Sequence, residues 1–380
     1  MDAVSWSTAL DRISAGDPGR AGLPHVDWTR QLPATAMRGR HVAPPESVAA
    51  LLRWTAGFVR YRNLAGWERF GVRRWPDELL GPVPSPGGIR STGVVLTGAI
   101  DGTQGVWEYD PLSHDVRLMT RNSIGRPELR VALAVRPHLL DFKYGPLADR
   151  LAFIEAGCML TQLALVARLE GFSGAISVNP AFLVPGLGAS TWASLDLSQR
   201  APLPASSGTV ASAPPAGTWA NAVWSRRTAR GRLENADAVR PDRIVREGER
   251  LVGVTGEQPV TTVIASQDDP LRNELVGLLR GNTAYSIVFF GDYRSAFERG
   301  DPDWYEHETM RVGASLHGCA LAAARAGVDA RISCEFSVRG VTAAADLADD
   351  LVPVAALEVG RERSRGGWEH ALSRPPMHWR

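Results

Sequence analysis

Lysine is almost missing from this chain of 380 residues: Lys143 is the only one, set among 41 arginines. An excess of Arg and Ala reflects a GC-rich genome and carries no functional meaning, but it makes the one lysine conspicuous. Cysteine is scarce too. Cys158, Cys319 and Cys334 are odd in number and far apart, which excludes a disulfide framework and a zinc knuckle and suits a reducing cytoplasm. Neither sign of charge dominates: 42 basic residues face 41 acidic ones, for a net charge of +1, so no field draws the chain to nucleic acid or to an anionic membrane. No apolar run reads as a membrane span. The start, Met1-Asp2-Ala3-Val4-Ser5-Trp6, lacks the basic-then-apolar layout of a signal peptide. There is no Gly-x-Ser-x-Gly elbow, no Walker motif and no His/Cys/Asp group at metal-ligand spacing. What is present suits a soluble protein of two or three domains: 44% hydrophobic and 22% charged residues.

The most informative stretch is Pro84-Ser85-Pro86-Gly87-Gly88-Ile89-Arg90, which runs into Val94-Val95-Leu96. Two glycines let main-chain N–H groups approach a ligand with no Cβ in the way, and a strand behind them would hold the turn rigid. Taken alone, the same composition also suits an ordinary Pro/Gly connection. Around it, the periodicity predicts a helix over 45–58 and strands over 93–100, 105–109 and 115–120. The chemistry of Asp110-Pro111-Leu112-Ser113-His114 predicts a turn between the last two. A long, nearly all-apolar helix over 151–169 reads as buried and central, followed by a short strand over 174–178. Residues 1–35 read as an irregular extension and 202–217 as a Pro/Ala/Ser linker. Beyond the linker, strands are expected over 260–266, 284–290, 330–336 and 351–359, with a helix over 306–326.

The two sides of the linker resemble each other. Shifting by 156 sets Gly157 on Gly313, Leu160 on Leu316, Ala164 on Ala320, Leu165 on Leu321, Ala167 on Ala323 and Gly171 on Gly327. Any two Ala/Leu helices share some of this, but both helices also end at Gly and pass into a β-like run. Arg38-Gly39-Arg40 has a counterpart in Arg230-Gly231-Arg232, which makes the second copy 36 residues shorter to its helix glycine. Nothing in the second copy resembles the Pro84–Gly88 turn. In exchange it carries Arg226-Arg227-Thr228-Ala229-Arg230, where the first has Ala34-Thr35-Ala36-Met37-Arg38. Three guanidiniums and a hydroxyl within five residues suit a phosphate, as do Arg361 and Arg363 near the end; solvated charge runs are the other reading.

Together these stretches resemble the flavin-dependent nitroreductase superfamily, and more narrowly the SagB-like azoline dehydrogenases that make thiazoles and oxazoles in ribosomal peptide natural products. The matching residues are Pro84–Arg90, the hairpin Gly105–His114, Lys143-Tyr144, Ile154-Glu155-Ala156-Gly157 with Gln162, and the arginine motif at 226–230. The resemblance implies an α+β nitroreductase-like fold in two degenerate tandem copies that pack as an intramolecular pseudo-dimer. The implied boundaries are 36–201 for the first copy, 202–221 for the linker, 222–365 for the second and 366–380 for a tail. It implies FMN between the copies, one per chain. Arg226, Arg227, Arg230, Arg361 and Arg363 would hold phosphate, Thr228 would face the ribityl or pyrimidine side, and Pro84, Ser85, Gly87 and Gly88 would line the ring. Lys143 and Tyr144 would transfer the proton as an azoline loses hydride to the flavin. The substrate would be a modified precursor peptide, with a cyclodehydratase as partner. An NAD(P)H-dependent reductase of small molecules and a silent scaffold subunit are the alternatives. His114 reads as a solvated turn residue and His317 as an interior one.

Overall fold

The computed structural model describes residues 40–371 apart from 64–77, 122–128, 173–175, 179–182, 185–188, 198–216, 230–232, 235–239, 267–268, 270, 272–284, 335, 348–349 and 363–367. The expected extension and linker therefore lie outside the described residues, save residues 217–221 of the linker, where a helix already begins at Trp219.

The first copy contains β1 (His41–Val42), α1 (Glu46–Ala56), β2 (Arg60–Asn63), β3 (Glu78–Leu80), β4 (Thr92–Ile100), β5 (Thr103–Asp110), β6 (Asp115–Arg121) and β7 (Arg130–Val135). It continues with α2 (His138–Tyr144), α3 (Ala148–Leu169), β8 (Ile176–Val178), β9 (Leu183–Val184) and β10 (Ala189–Asp196). The second copy contains α4 (Trp219–Ser225), β11 (Leu233–Glu234), α5 (Pro241–Thr255), β12 (Thr261–Ser266), β13 (Tyr285–Gly291) and α6 (Tyr293–Glu298). It continues with α7 (Trp304–Arg325), β14 (Asp329–Ser333), α8 (Val338–Ala345), β15 (Val352–Glu362) and β16 (Trp368–Ala371). The expected elements are present with ends shifted by a few residues.

The duplication is visible in the strand registers. In the first sheet the order runs β4-β7-β10-β8, and in the second β12-β13-β15 with β14 also on β15. Ala132 of β7 faces Ser194 of β10, which faces Ser177 of β8. At an offset of 156 on β13 and β14, and of 162 on β15, Val288 of β13 faces Ala356 of β15, which faces Ser333 of β14. Both ladders also bulge at the corresponding residue, Trp192 in one and Val354 in the other. A bulge is a specific local departure from pairing, so its recurrence argues for a repeated fold rather than for similar composition. The first sheet extends further on one side, through the β4–β5–β6 meander and β1.

The long helices α3 and α7 lie at the centre, each 22 residues long and buried on nearly every face. A helix that is apolar all round needs cover on all sides. By length and composition the α2–α3 stretch would pass for a membrane span, contrary to the sequence reading, yet its apolar window is wholly buried in protein. The two helices cross where neither has a side chain. A Cβ on Gly157 would stand 2.0 Å from the Met310 carbonyl oxygen, and one on Gly313 would stand 2.2 Å from that of Ile154. These contacts are mates under the 156 shift, so the crossing lies on the pseudo-twofold axis. Thr161 Oγ1 donates to the Ala314 carbonyl at 3.1 Å, which uses the close approach. One apolar core runs through both copies, from Leu52, Leu96 and Leu160 to Phe289, Leu316 and Leu357.

A strand of the second copy crosses to the first. β16, in the expected tail, adds to β2 of the first copy, with Ala371 opposite Arg60.

Candidate active site

The Pro84–Gly88 stretch forms a tight turn. Ser85 is extended, Pro86–Gly88 make one 3-10 turn, and Gly87 and Gly88 take φ of 57° and 75°, values that glycine adopts without strain. A Cβ on Gly88 would meet nothing within 4 Å, so the turn is open on that side. Ser85 Oγ accepts from the Arg90 amide at 2.8 Å and closes the loop. Arg90 itself faces the other way. Its guanidinium donates to the carbonyls of Ala56 and Gly57 at 2.9 and 3.0 Å, and so caps the C-terminus of α1. It stacks 3.9 Å over Phe58, and burial lowers its pKa to about 10.

Glu155, two residues before Gly157 at the helix crossing, ties the turn to α3. Its carboxylate accepts from the Ser91 amide at 3.0 Å and from the Ser91 hydroxyl at 2.5 Å. Burial raises the carboxyl to about 7, against the opposing pull of bonds from Ser91 and Ser85 and of the Arg90 charge. The folded protein therefore holds the proton more tightly than the unfolded chain does. Below the ordinary value of 4.5 both states are protonated; as pH rises through 7 only the folded state is left bearing a costly buried charge. This site should thus subtract stability across pH 4.5–7, on the order of 3 kcal/mol in full. The melting temperature of Glu155→Gln, compared with wild type from pH 5 to pH 8, checks this: the variant should lose less as pH rises. Parallel curves would contradict it.

The second copy reaches this turn through the segment after α4, whose N-cap Thr218 accepts from the Asn221 amide at 3.1 Å. Arg226 is buried, and its Nε donates to the Pro82 carbonyl at 2.7 Å, across 144 residues of sequence. Arg60 of β2 donates to the Arg226 carbonyl from the other side. The Arg226 charge lies close enough to Cys158 to pull its thiol back down against burial, and it helps burial keep His317 neutral. The segment is extended, so alternate residues face opposite ways. Thr228 bridges to Ala330 of β14, and the Ala229 amide donates to the Ala330 carbonyl at 2.9 Å. Arg227 pairs with Asp329, its Nε at 3.2 Å and its Nη2 at 3.1 Å from one carboxylate oxygen. Arg361 is exposed at the end of β15, opposite Glu234. Arg230 and Arg363 lie outside the described residues.

Lys143 and Tyr144 end α2, where Gly145 breaks the helix with φ of 49°. The ammonium stands 5.2 Å from the Tyr144 ring centroid, within reach of the ring's negative face. Both are partly buried, and Tyr144 packs on the core. α2 is anchored near the turn, because the Arg136 amide just before it donates to the Ser91 carbonyl at 2.8 Å. His114 is not the solvated residue its turn suggested. Tyr109 and His114 Nδ1 are 2.6 Å apart, and burial lowers the imidazole to about 4, so it is neutral at pH 7 and accepts from the phenol. His317 is interior as expected, with Nε2 on Gln162 at 2.9 Å.

The structure thus joins the turn, Glu155 and Arg226 into one neighbourhood where the copies meet. Glu155 was legible only as a motif position: its partners lie more than 60 residues away.

Neither a family model nor a curated protein matches the chain. Among solved structures, a protein of Anabaena variabilis, provisionally described as a nitroreductase, superposes with a TM-score of 0.69, covering 93% of this chain and 99% of its own at 13% identity. This is a nitroreductase-like fold. A nitroreductase family protein of Clostridium difficile matches 38% of this chain and 85% of its own, at 16% identity and a TM-score of 0.32. At 13% identity over nearly the whole length, the Anabaena comparison speaks for the nitroreductase-like fold alone.

Proposed function

We propose that this chain is an FMN-dependent oxidoreductase with one flavin per chain, and that it oxidises azoline rings of a modified peptide to azoles. The observation that carries the flavin reading is the hydrogen bond from Arg226 of the second copy to Pro82, beside the glycine turn of the first. It sets a buried cation next to a backbone that is free of side chains and open at Gly88. That donor set fits a phosphorylated flat cofactor. Arg226 and Thr228, on the same side of an extended segment, would face it, with Arg230, Arg361 and Arg363 towards the phosphate. Arg227, committed to Asp329, would hold the segment in place. Pro84, Ser85, Gly87 and Gly88 would line the ring.

When bound, FMN supplies a two-electron acceptor that takes hydride from the substrate carbon. The protein must then remove the acidic proton of the neighbouring ring carbon, which leaves the aromatic azole. Lys143 would take that proton as a neutral amine, and Tyr144, beside it, would pass it on. A cyclodehydratase that forms the azoline would act immediately before this enzyme.

With an azoline-bearing peptide in air, mass spectrometry should show the loss of two hydrogens per ring. Lys143→Ala should slow this by roughly 100-fold or more while the flavin absorbance stays. Unchanged oxidation in the variant would refute the role of Lys143. The description attached to the Anabaena protein favours a second reading, reduction of small molecules by NAD(P)H. Rapid bleaching of the bound flavin by NADPH, with no azole formed from any azoline peptide, would select it.

A further inference from the structure

The pseudo-twofold axis gives the Arg226 neighbourhood a counterpart. Under the 156 shift Glu155 falls on Arg311 and Cys334 on Val178. Both Arg311 and Val178 line a cavity of 380 Å³ between α7 and the edge of the first sheet. This counterpart has no glycine turn, and its lining differs in kind. Where a glutamate on α3 faces Arg90 in the first copy, Arg311 on α7 faces Glu257 at 4.0 Å.

Most polar groups here are already committed. Arg311 pairs with Glu308 and reaches the Gln258 carbonyl at 3.5 Å. Glu308 accepts from the Asp292 amide at 2.7 Å with its other oxygen. Asp301 accepts from the Asp303 amide at 2.9 Å and holds His307 Nδ1 at 2.8 Å. Two acceptors are left over. The first is Glu257, whose carboxylate has only the loose contact with Arg311 and sits partly desolvated, its pKa raised by burial. The second is His307 Nε2, which is buried without a hydrogen-bond partner. A neutral imidazole with its proton on Nδ1, toward Asp301, has its lone pair at Nε2. Leu160, Val178 and Met310 supply apolar lining.

We propose that this cavity is a second binding site, for a compact primary amine with a hydrocarbon body. Its ammonium would donate to Glu257, a small turn of the His307 ring would bring the buried Nε2 to it, and its apolar part would cover Leu160, Val178 and Met310. Three carboxylates against two guanidiniums in the lining disfavour an anion, and one of those guanidiniums, Arg299, is exposed at the surface where water screens it. A volume near the lower end of small-molecule pockets, about 300–1,000 Å³, limits the ligand to a small one. The inference does not rest on the flavin assignment, since every group it uses lies in the counterpart site.

Calorimetric titration of the full chain with phenethylamine, phenethyl alcohol and phenylacetate tests it. The amine should saturate, the alcohol should bind at least tenfold more weakly, and the acid should not bind. Glu257→Gln should weaken the amine at least tenfold with its melting temperature retained. A silent amine, an acid that binds as well, or an amine displaced by FMN would overturn the proposal. If Glu257→Gln does not fold, the three probes on the wild-type chain decide by themselves, and His307→Gln, which keeps an acceptor but reshapes the pocket, should weaken the amine without admitting the acid.

Discussion

Gly157→Ala should destabilise the protein by roughly 3 kcal/mol or more, and Gly313→Ala by a similar amount. Elsewhere in a helix this exchange helps by about 1 kcal/mol, because alanine is the better helix former. Here the added carbon would stand 2.0 Å from the Met310 oxygen and 2.7 Å from the Ala314 nitrogen, both backbone atoms. No rotamer change relieves that, so α3 and α7 must separate along their whole contact. Overlap therefore outweighs propensity. Gly253→Ala is the control: it sits in α5, with nothing within 4 Å of the new carbon, and should stabilise by about 0.5–1 kcal/mol. Thermal or urea unfolding of the three variants measures the difference. Because Gly157 and Gly313 face the same gap, the double variant should cost less than the two single ones added together. A stable Gly157→Ala protein would mean that the helices do not meet as described.

Arg226→Ala should yield a colourless protein whose affinity for FMN is lower by roughly 100-fold, about 3 kcal/mol, the upper range for a charge-assisted hydrogen bond. Arg226 is buried, donates to Pro82, and has its own carbonyl held by Arg60, so its side chain cannot be replaced by a neighbour. Arg226→Lys separates two contributions. It keeps the charge and loses the fork, so it should retain part of the affinity. Arg227→Ala should keep its flavin and instead lose stability, because that side chain is spent on Asp329. Flavin content by absorbance and affinity by fluorescence titration give both answers. A yellow Arg226→Ala protein with one flavin per chain would remove the arginine from the site.

Much of this architecture is legible without coordinates, for reasons that are local. The meander β4–β5–β6 shows because strand-like runs and the turn chemistry of Asp110–His114 coincide. The long helices show because apolar and small residues dominate them and neither Pro nor a polar cluster breaks their second halves, and the 156 shift that sets Gly157 on Gly313 is the crossing itself. Other elements are silent. β10, Ala-Ser-Thr-Trp-Ala-Ser-Leu-Asp, carries little strand signal and is a strand because β7 and β8 pair with it on both sides. α2 reads as a Lys-Tyr motif rather than as a helix, because seven residues are too few for periodicity to show. In the site, the glycines and arginines announce themselves by type, while Glu155 does not. Its carboxyl is raised by burial and pulled back by Ser91, Ser85 and Arg90, and only the fold supplies that burial and brings those groups within reach.

The strand exchange has a consequence for how the protein is made. β2 lies near the start of the chain and its partner β16 near the end, with Ala371 opposite Arg60. A ribosome delivers the first copy in full long before residue 371 leaves the exit tunnel. Until then β2 has β3 on one side and an open edge on the other, and Arg226, to which Arg60 must donate, follows Arg60 only after 166 residues. The support behind the candidate flavin site is therefore completed only after Ala371 has been made, 311 residues after Arg60 (371 − 60), although half of it belongs to the first copy.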